Sequence, residues 1–373
     1  MGGGMARLSE GVASALKEIG YEAIVVAPSA DGAAAYDKRA AVHVHRVKGM
    51  ACGHIFDDYP KSVIRFFAAA LRFSFWRRAG MIVANTWSIA GVAAFIIKKL
   101  NGTPYMVFAN GLDVYAPRNN PKTLWLMKLV LKNASVVAAI SDFTRALVLE
   151  AETSANVVVI HPCVDTIRFA ADPGIAAGLQ NGRRKILTVA RLVRGKGHDI
   201  VLKALTRIVG RFPDLEYFIV GDGPEREYLE ALAGELGLGR HVIFTGPLEE
   251  EALISYYRAC DLFILTSREL ETSGEVEGFG IVFLEAGACA KAVIGSRSGG
   301  IPEAVIDGVT GLLVEESDIN ATAEAIIKLL SDDGFRRALG ASGKARVDSQ
   351  MNAAAFAGKL GRILTCSKSC LKN

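Results

Sequence analysis

The sequence predicts an α/β chain of two doubly wound domains, each a parallel sheet with helices on both faces. Three observations carry this expectation. The 373 residues exceed the about 250 to 300 at which a single hydrophobic core stops growing. Short runs rich in Val and Ile ("EAIVVA", "VVAAIS", "KILTVA", "EYFIVG", "DLFILTS") alternate with amphipathic stretches of helical length, the pattern of strands buried on both faces. The rhythm breaks between "VVVIHPCVDTIRF" and "RRKILTVARL", where "AADPGIAAGLQNG" has loop composition, so the boundary is expected near residues 168 to 183. The expected parts are therefore 1–168, 169–350, and a segment 351–373 in which "AAAFAGKLGRIL" is a helix returning to the first domain and "CSKSCLKN" a frayed tail. Two such domains in tandem face a cleft, and the ligand-facing loops follow the carboxyl ends of the strands.

With 51% hydrophobic and 22% charged residues, the composition is that of a globular enzyme and excludes a disordered or fibrous chain. The net charge of +4 comes without the clustered basic stripe of a nucleic-acid binder, so nucleic acid is excluded as a partner. Six scattered cysteines contain no C-x-x-C pair, which argues against zinc and against a disulfide framework and fits a reducing cytoplasm. The most apolar stretch, "TWSIAGVAAFII", is too short and interrupted to span a bilayer, leaving peripheral contact with the inner face of the membrane as the expected lipid association. The segment "YPKSVIRFFAAALRFSFWRRAG" predicts a helix with Lys61, Arg65 and Arg72 in a narrow arc against Phe66, Phe67, Phe73 and Phe75. Such a helix either lies on an anionic membrane or buries its aromatics on the first sheet and leaves its basic stripe in water.

The loops after the strands carry the chemistry. "ILTVA" ends in "RLVRGKGHD" before the helix "IVLKAL", clustering Arg191, Arg194 and Lys196 beside a helix N-terminus, where backbone N–H groups and the helix dipole favour phosphate. The alternative is a solvated basic loop. "LFILTS" leads through "RELETSGEVE" into "GFGIVFLEAGAC", which reads as a second glycine-opened helix. If the eight residues from Glu277 to Glu285 are mostly helical, the two carboxylates stand roughly 12 Å apart, near the span from a sugar to a ribose across a diphosphate. The amides of Phe279, Gly280 and Ile281 would face a ligand at the helix start. On spacing alone, Glu285 reads rather as a helix-surface glutamate. In "SRSGGIPE", Gly299 and Gly300 permit close backbone approach to a ligand.

In that order and spacing, "ARLVRGKG", "VGDGP", "EGFGIVFLEAGAC" and "SGGIPEAVIDGVTGLLV" closely resemble the retaining glycosyltransferases of family 4, whose fold is GT-B. The longer loop ending in "EVEGFGIVFLEA" resembles the phosphatidylinositol mannosyltransferase branch. The resemblance implies a nucleoside diphosphate sugar as donor substrate, either GDP-mannose or a UDP-sugar, and a sugar, glycan, small-molecule or lipid-linked acceptor. It implies no cofactor and no metal, in line with the absence of any D-x-D sequence. It also implies that Arg191 and Lys196 hold the donor diphosphate, that Glu277 with the Phe279 to Ile281 amides holds the transferred sugar, and that Glu285 binds the ribose hydroxyls. Preorganised cations and amides would then stabilise the charge that grows on the leaving diphosphate.

In the first domain "FANGLDVY" matches a family segment that commonly reads H-G-x-D, with Asn110 in place of histidine and Asp113 retained. An asparagine amide donates a hydrogen bond to a sugar hydroxyl but carries neither proton nor positive charge. In "HPCVD", Cys163 stands where the family generally has glycine, and a structural thiol is expected there. At the N-terminus, "MGGGMARLSEGVASALKEIG" runs from three glycines straight into a helix, whereas in the family a strand precedes the glycine pair. The first strand is therefore expected to be missing, with neighbouring sheet edges left unpaired and Gly2, Gly3 and Gly4 the remnant of a loop facing donor or acceptor. An altered donor sugar formed without an acceptor (a 2-epimerase) and a non-catalytic donor-binding protein are the competing functions.

Overall fold

The computed structural model describes residues 4–29, 37, 43–47, 59–76, 79–170, 177–270 and 274–370. The chain divides into two compact units, Gly2–Pro162 with Ala353–Asn373, and Cys163–Asn352. The second unit begins before the loop at 168 to 183, because the short helix Thr166–Ala170 packs against the helix Ile281–Ala288 of the same unit.

In the N-terminal unit, helix α1 (Gly4–Glu18) buries Leu8, Val12, Ala13 and Ala15. Gly2 and Gly3 lie outside the described residues, and Gly4 is the first residue of α1. Strands β1 (Ile24–Pro28) and β2 (His43–Val47) pair in parallel as a sheet of their own. Helix α2 (Tyr59–Trp76) follows, then a second parallel sheet of β3 (Ile82–Ala84), β4 (Tyr105–Ala109), β5 (Val136–Ala139) and β6 (Val157–Val159) in that order. The apolar runs "YMVFA" and "VVAA" are buried at every position, as strands covered on both faces must be. Among the described residues no strand joins β1 to β3, so the unit carries two sheets where an open doubly wound fold has one.

Helix α2 keeps Lys61, Arg65 and Arg72 exposed, with Phe66, Phe67 and Phe73 half-buried; the Phe73 ring meets His45 of β2 edge-on at 5.0 Å. The Phe75 side chain lies outside the described residues. No helix among the described residues is long and apolar enough to cross a membrane.

The C-terminal unit holds one six-stranded parallel sheet. Its strands are β7 (Lys185–Val189), β8 (Glu216–Val220), β9 (Val242–Gly246), β10 (Leu262–Leu265), β11 (Ala292–Ser296) and β12 (Gly311–Val314), in the order β12-β11-β10-β7-β8-β9. Strands β7, β8, β10 and β11 are buried at every position, and Ile186, Leu205, Ile219, Ile264, Ile294 and Leu329 belong to one continuous core. Strand order reverses between β7 and β10, and at such a switch point the loops leaving the two strands part and open a crevice at their carboxyl ends. Both of the charged loops picked out from the sequence leave this pair of strands.

The terminal helix, Ala353–Cys370, returns to the N-terminal unit and packs on α1, with Phe356, Ala357, Leu360 and Leu364 buried and Gly361 lying against Ile19.

Candidate functional site

The loop after β7 leaves the sheet at Ala190 and makes a short 3-10 turn, Arg194–Lys196, before the helix His198–Leu205. Arg191 and Arg194 are exposed and Lys196 is half-buried. The loop after β10 folds back on this turn. Lys196 Nζ lies 2.6 Å from Glu277 Oε2, with side chains 24% and 16% exposed, so the cation and the carboxylate assigned to opposite ends of a glycosyl donor's scissile bond are neighbours. The Glu277 backbone is fixed in turn, since its carbonyl accepts from the Gly300 N–H at 2.9 Å.

Arg191 has no side-chain hydrogen-bond partner among the described residues, but its backbone is held. His198 Nε2 lies 3.1 Å from the Arg191 carbonyl oxygen, and His198 is buried, which pushes its imidazole down to about 4. A neutral ring is thus built in beneath the basic loop. Glycine at 280 has φ of 93°, a left-handed conformation that turns the chain into the helix Ile281–Ala288, whose first N–H groups have no intrahelical acceptor. Phe279 is fully buried and anchors that helix start from below.

Three expectations change in the structure. Glu285 is not a helix-surface glutamate: it is 1% exposed, and its Oε2 accepts from the Tyr257 hydroxyl at 2.7 Å in a cluster where Tyr257 also meets Phe169 and Phe263. A carboxylate in such surroundings needs a donor, and Tyr257 supplies it. Gly299 and Gly300 do allow a close backbone approach, but to protein: a β-carbon at either would collide with the carbonyl oxygen of Glu277 or Gly278. Their smallness seats the loop carrying Glu277.

The third change concerns Asn110, which follows β4 in the other unit. Its Nδ2 donates to the Asn85 carbonyl at 2.7 Å and to Asp113 Oδ2 at 3.2 Å, and its backbone N–H donates to Asp113 Oδ1 at 2.7 Å. Both amide hydrogens are engaged within the unit, so Asn110 does not offer the sugar-facing donor expected of it. It orients Asp113, whose carboxyl burial pushes up to about 6, with the Asn110 hydrogen bonds opposing. Trp87, whose Nε1–H donates to the Asp113 carbonyl, closes the other side of this turn.

Sequence reasoning missed Glu275, His198, Tyr257 and Trp87. Glu275 sat unremarked in "SGEVEG", yet its Oε2 accepts from the Gly195 N–H at 2.7 Å. Cys163, Cys260 and Cys289 are free thiols, and burial pushes Cys260 up to about 12 and Cys289 up to about 11.

With this geometry in hand, two family profiles match the chain: Glycosyltransferase Family 4 over residues 2–168, and Glycosyl transferases group 1 over residues 176–346. A D-inositol 3-phosphate glycosyltransferase of Corynebacterium urealyticum is 31% identical over 312 residues, covering 76% of this chain and 71% of that one. The chain belongs to glycosyltransferase family 4. Within the family, a GDP-mannose-dependent alpha-(1-6)-phosphatidylinositol monomannoside mannosyltransferase of Mycolicibacterium smegmatis is 37% identical over 224 residues, covering 58% of this chain and 59% of that protein. The corresponding protein of Mycobacterium tuberculosis is 35% identical over 245 residues and is covered over 64% of its length. The chain thus matches less than two thirds of the length of these mannosyltransferase relatives. Among solved structures, a sucrose-phosphate synthase of Thermosynechococcus elongatus superposes with a TM-score of 0.83 over 99% of this chain and 94% of that one, at 24% identity. HepE of Anabaena in complex with UDP-glucose gives 0.81 over 98% and 97%, at 22% identity. These likenesses show the fold, which is GT-B.

Proposed function

We propose that this family 4 member is a retaining hexosyltransferase that moves a sugar from a nucleoside diphosphate sugar to an inositol-containing, lipid-linked acceptor, with GDP-mannose as the first donor to test. The observation that carries the reading is the contact of Lys196 with Glu277 at the switch point, 2.6 Å apart, with Arg191 on the same loop. As the glycosidic bond breaks, negative charge grows on the leaving diphosphate and positive charge on the sugar ring. Arg191 and Lys196 neutralise the first, and Glu277 faces the second, so both ends of the developing charge separation meet preorganised partners of opposite sign. The N–H groups at Gly280 and Ile281 add a helix N-terminus on the same side as Glu277. Glu285, oriented by Tyr257, is assigned to the ribose hydroxyls. Asn110 and Asp113 are assigned to the acceptor-bearing unit as a positioned pair rather than as a proton carrier. The donor and acceptor classes come from the relatives: the mannosyltransferases are named for GDP-mannose and phosphatidylinositol monomannoside, and the 31%-identical relative for inositol 3-phosphate.

The test is a thermal-shift screen of nucleoside diphosphate sugars, followed by transfer assays with phosphatidylinositol mannosides and inositol phosphates. A ligand that binds only the native state raises its melting temperature by mass action. The expected outcome is stabilisation by GDP-mannose, acceptor-dependent release of GDP, and an α-linked product by NMR. Binding without turnover would replace the enzyme with a donor-binding protein, an altered donor sugar without acceptor would mark an epimerase, and no stabilisation by any donor would end the reading.

A further inference from the structure

Gly195 sits at the centre of the 3-10 turn, and both of its backbone polar groups are taken by the long loop after β10. Its carbonyl accepts from the Arg268 N–H at 2.8 Å, and its N–H donates to Glu275 Oε2 at 2.7 Å. Arg268 and Glu275 bracket that loop: Leu270 and Glu275 exchange backbone hydrogen bonds of 2.9 and 3.2 Å. Arg268 is held in addition by Asp199 in the first turn of the helix His198–Leu205, at 3.0 and 3.3 Å. The fit leaves no room, because a β-carbon at Gly195 would collide with the Glu275 carboxylate and lie 3.0 Å from the Glu275 Cβ.

One residue beyond Gly195 stands Lys196, and two residues beyond Glu275 stands Glu277. The loops after β7 and β10 are therefore joined by two successive rungs, Gly195 to Glu275 and Lys196 to Glu277, and Val276, between the two glutamates in sequence, is buried. Only Val276 separates Glu275 from Glu277, so a backbone held at Glu275 limits how far Glu277 can move.

We propose that Glu275 is a positioning residue for sugar transfer: its carboxylate, by accepting from the Gly195 N–H, holds the loop so that Glu277 stands against Lys196 at the donor's sugar end. This rests on the reading of Lys196 and Glu277 as donor-site residues. Glu275 itself contacts no reacting atom, and its effect passes through Glu277.

Four variants test the proposal: Glu275→Ala, Glu275→Gln, Gly195→Ala and the double Gly195→Ala/Glu275→Ala. A displacement of about 1 Å in a catalytic group costs on the order of 100-fold in rate. Glu275→Ala is expected to lower kcat by roughly 10- to 100-fold while binding of the bare nucleoside diphosphate, which needs Arg191 and Lys196, changes less than about threefold. Glu275→Gln, whose amide oxygen still accepts, restores most of kcat. Gly195→Ala matches Glu275→Ala, and the double variant is no worse than either single, because both remove one contact. Amide hydrogen exchange over residues 190–200 is read in parallel, with faster exchange at Gly195 in Glu275→Ala and near wild-type exchange in Glu275→Gln. Wild-type kcat in Glu275→Ala, equal losses in the Ala and Gln variants, or additive losses in the double variant would overturn the proposal. A wild-type chain that binds no nucleotide and transfers no sugar refutes the donor-site reading instead, and Gly195 exchange still reports whether Glu275 holds the loop.

Discussion

In the C-terminal unit the sheet is single, and β7, β8, β10 and β11 are buried along their whole length. In the N-terminal unit β1 is half-buried at every position, and of β3 only Ala84 is buried. The difference lies in what each strand has beside it. Each of β7, β8, β10 and β11 has a hydrogen-bonded neighbour on both edges, while β1 pairs only with β2 and β3 only with β4 among the described residues. The same difference appears in the two groups of candidate site residues. At the switch point of the six-stranded sheet, Lys196 and Glu277 come from loops far apart in sequence and are clamped together. At the end of β4, Asn110 and Asp113 are three residues apart and satisfy one another locally. The six-stranded sheet brings together residues about 80 positions apart, whereas the Asn110 side chain finds its partners at Asp113 and at Asn85, 25 residues away.

The largest effect should separate the two groups by rate. Lys196→Ala is expected to reduce kcat/KM by about 100- to 1,000-fold, the usual loss for one preorganised transition-state contact, and to weaken the bare diphosphate as well. Asn110→Ala, which unseats Asp113, should cost nearer 10-fold and leave diphosphate binding unchanged. Equal losses in steady-state assays would show that the pairs do not differ in role.

Stability should follow burial. Ile264→Ala in β10 empties a fully buried site and is expected to cost about 2 to 5 kcal/mol by denaturant unfolding. Val25→Ala in half-buried β1 should cost roughly 1 kcal/mol. A Val25→Ala cost as large as that of Ile264→Ala would mean that β1 is as tightly enclosed as the inner strands of the six-stranded sheet.

Much of this was legible in the sequence, and the boundary of legibility is physical. The strands announced themselves because burial on both faces demands unbroken Val- and Ile-rich runs. Arg191, Lys196 and Glu277 were picked out by residue type and place, as charges in glycine-containing loops that follow two such runs, and the structure brings Lys196 and Glu277 together. Glu275 was not picked out, since one more acidic residue in a polar loop has no signature until the Gly195 N–H is seen to point at it. Likewise the Tyr257 hydroxyl that meets Glu285 comes from 28 residues away, a tertiary pairing that no local spacing encodes. Asn110 was misread for a different reason: residue type fixes what an amide is able to donate, not in which direction it donates.

The dependence of stability on pH is expected to be opposite in sign in the two units. Burial raises Asp113 from 3.8 to about 6, so the native state holds that proton more tightly than the unfolded chain, and the associated stability is present below 3.8 and lost as pH rises through 6. Burial lowers His198 from 6.5 to about 4, so its contribution is present above 6.5 and lost as pH falls through 4. Against wild type, Asp113→Asn should therefore gain stability as pH rises from 4 to 6, and His198→Gln as pH falls from 6.5 to 4, each by roughly 1 to 2 kcal/mol after solvent screening. Melting curves across pH 4 to 8 read both, and parallel slopes in the two variants would remove one of the two assignments.

The terminal helix sets an order of events during synthesis. The residues of the C-terminal unit, Cys163–Asn352, are contiguous, and its sheet and core are complete once that stretch has left the ribosome. The N-terminal unit is translated first but finishes last, because α1 lies against a helix that starts at Ala353 and buries Phe356, Leu360 and Leu364. Domains usually fold as they emerge, N-terminal first. Here the N-terminal unit waits with an apolar face of α1 uncovered until Ala353–Cys370 has been made.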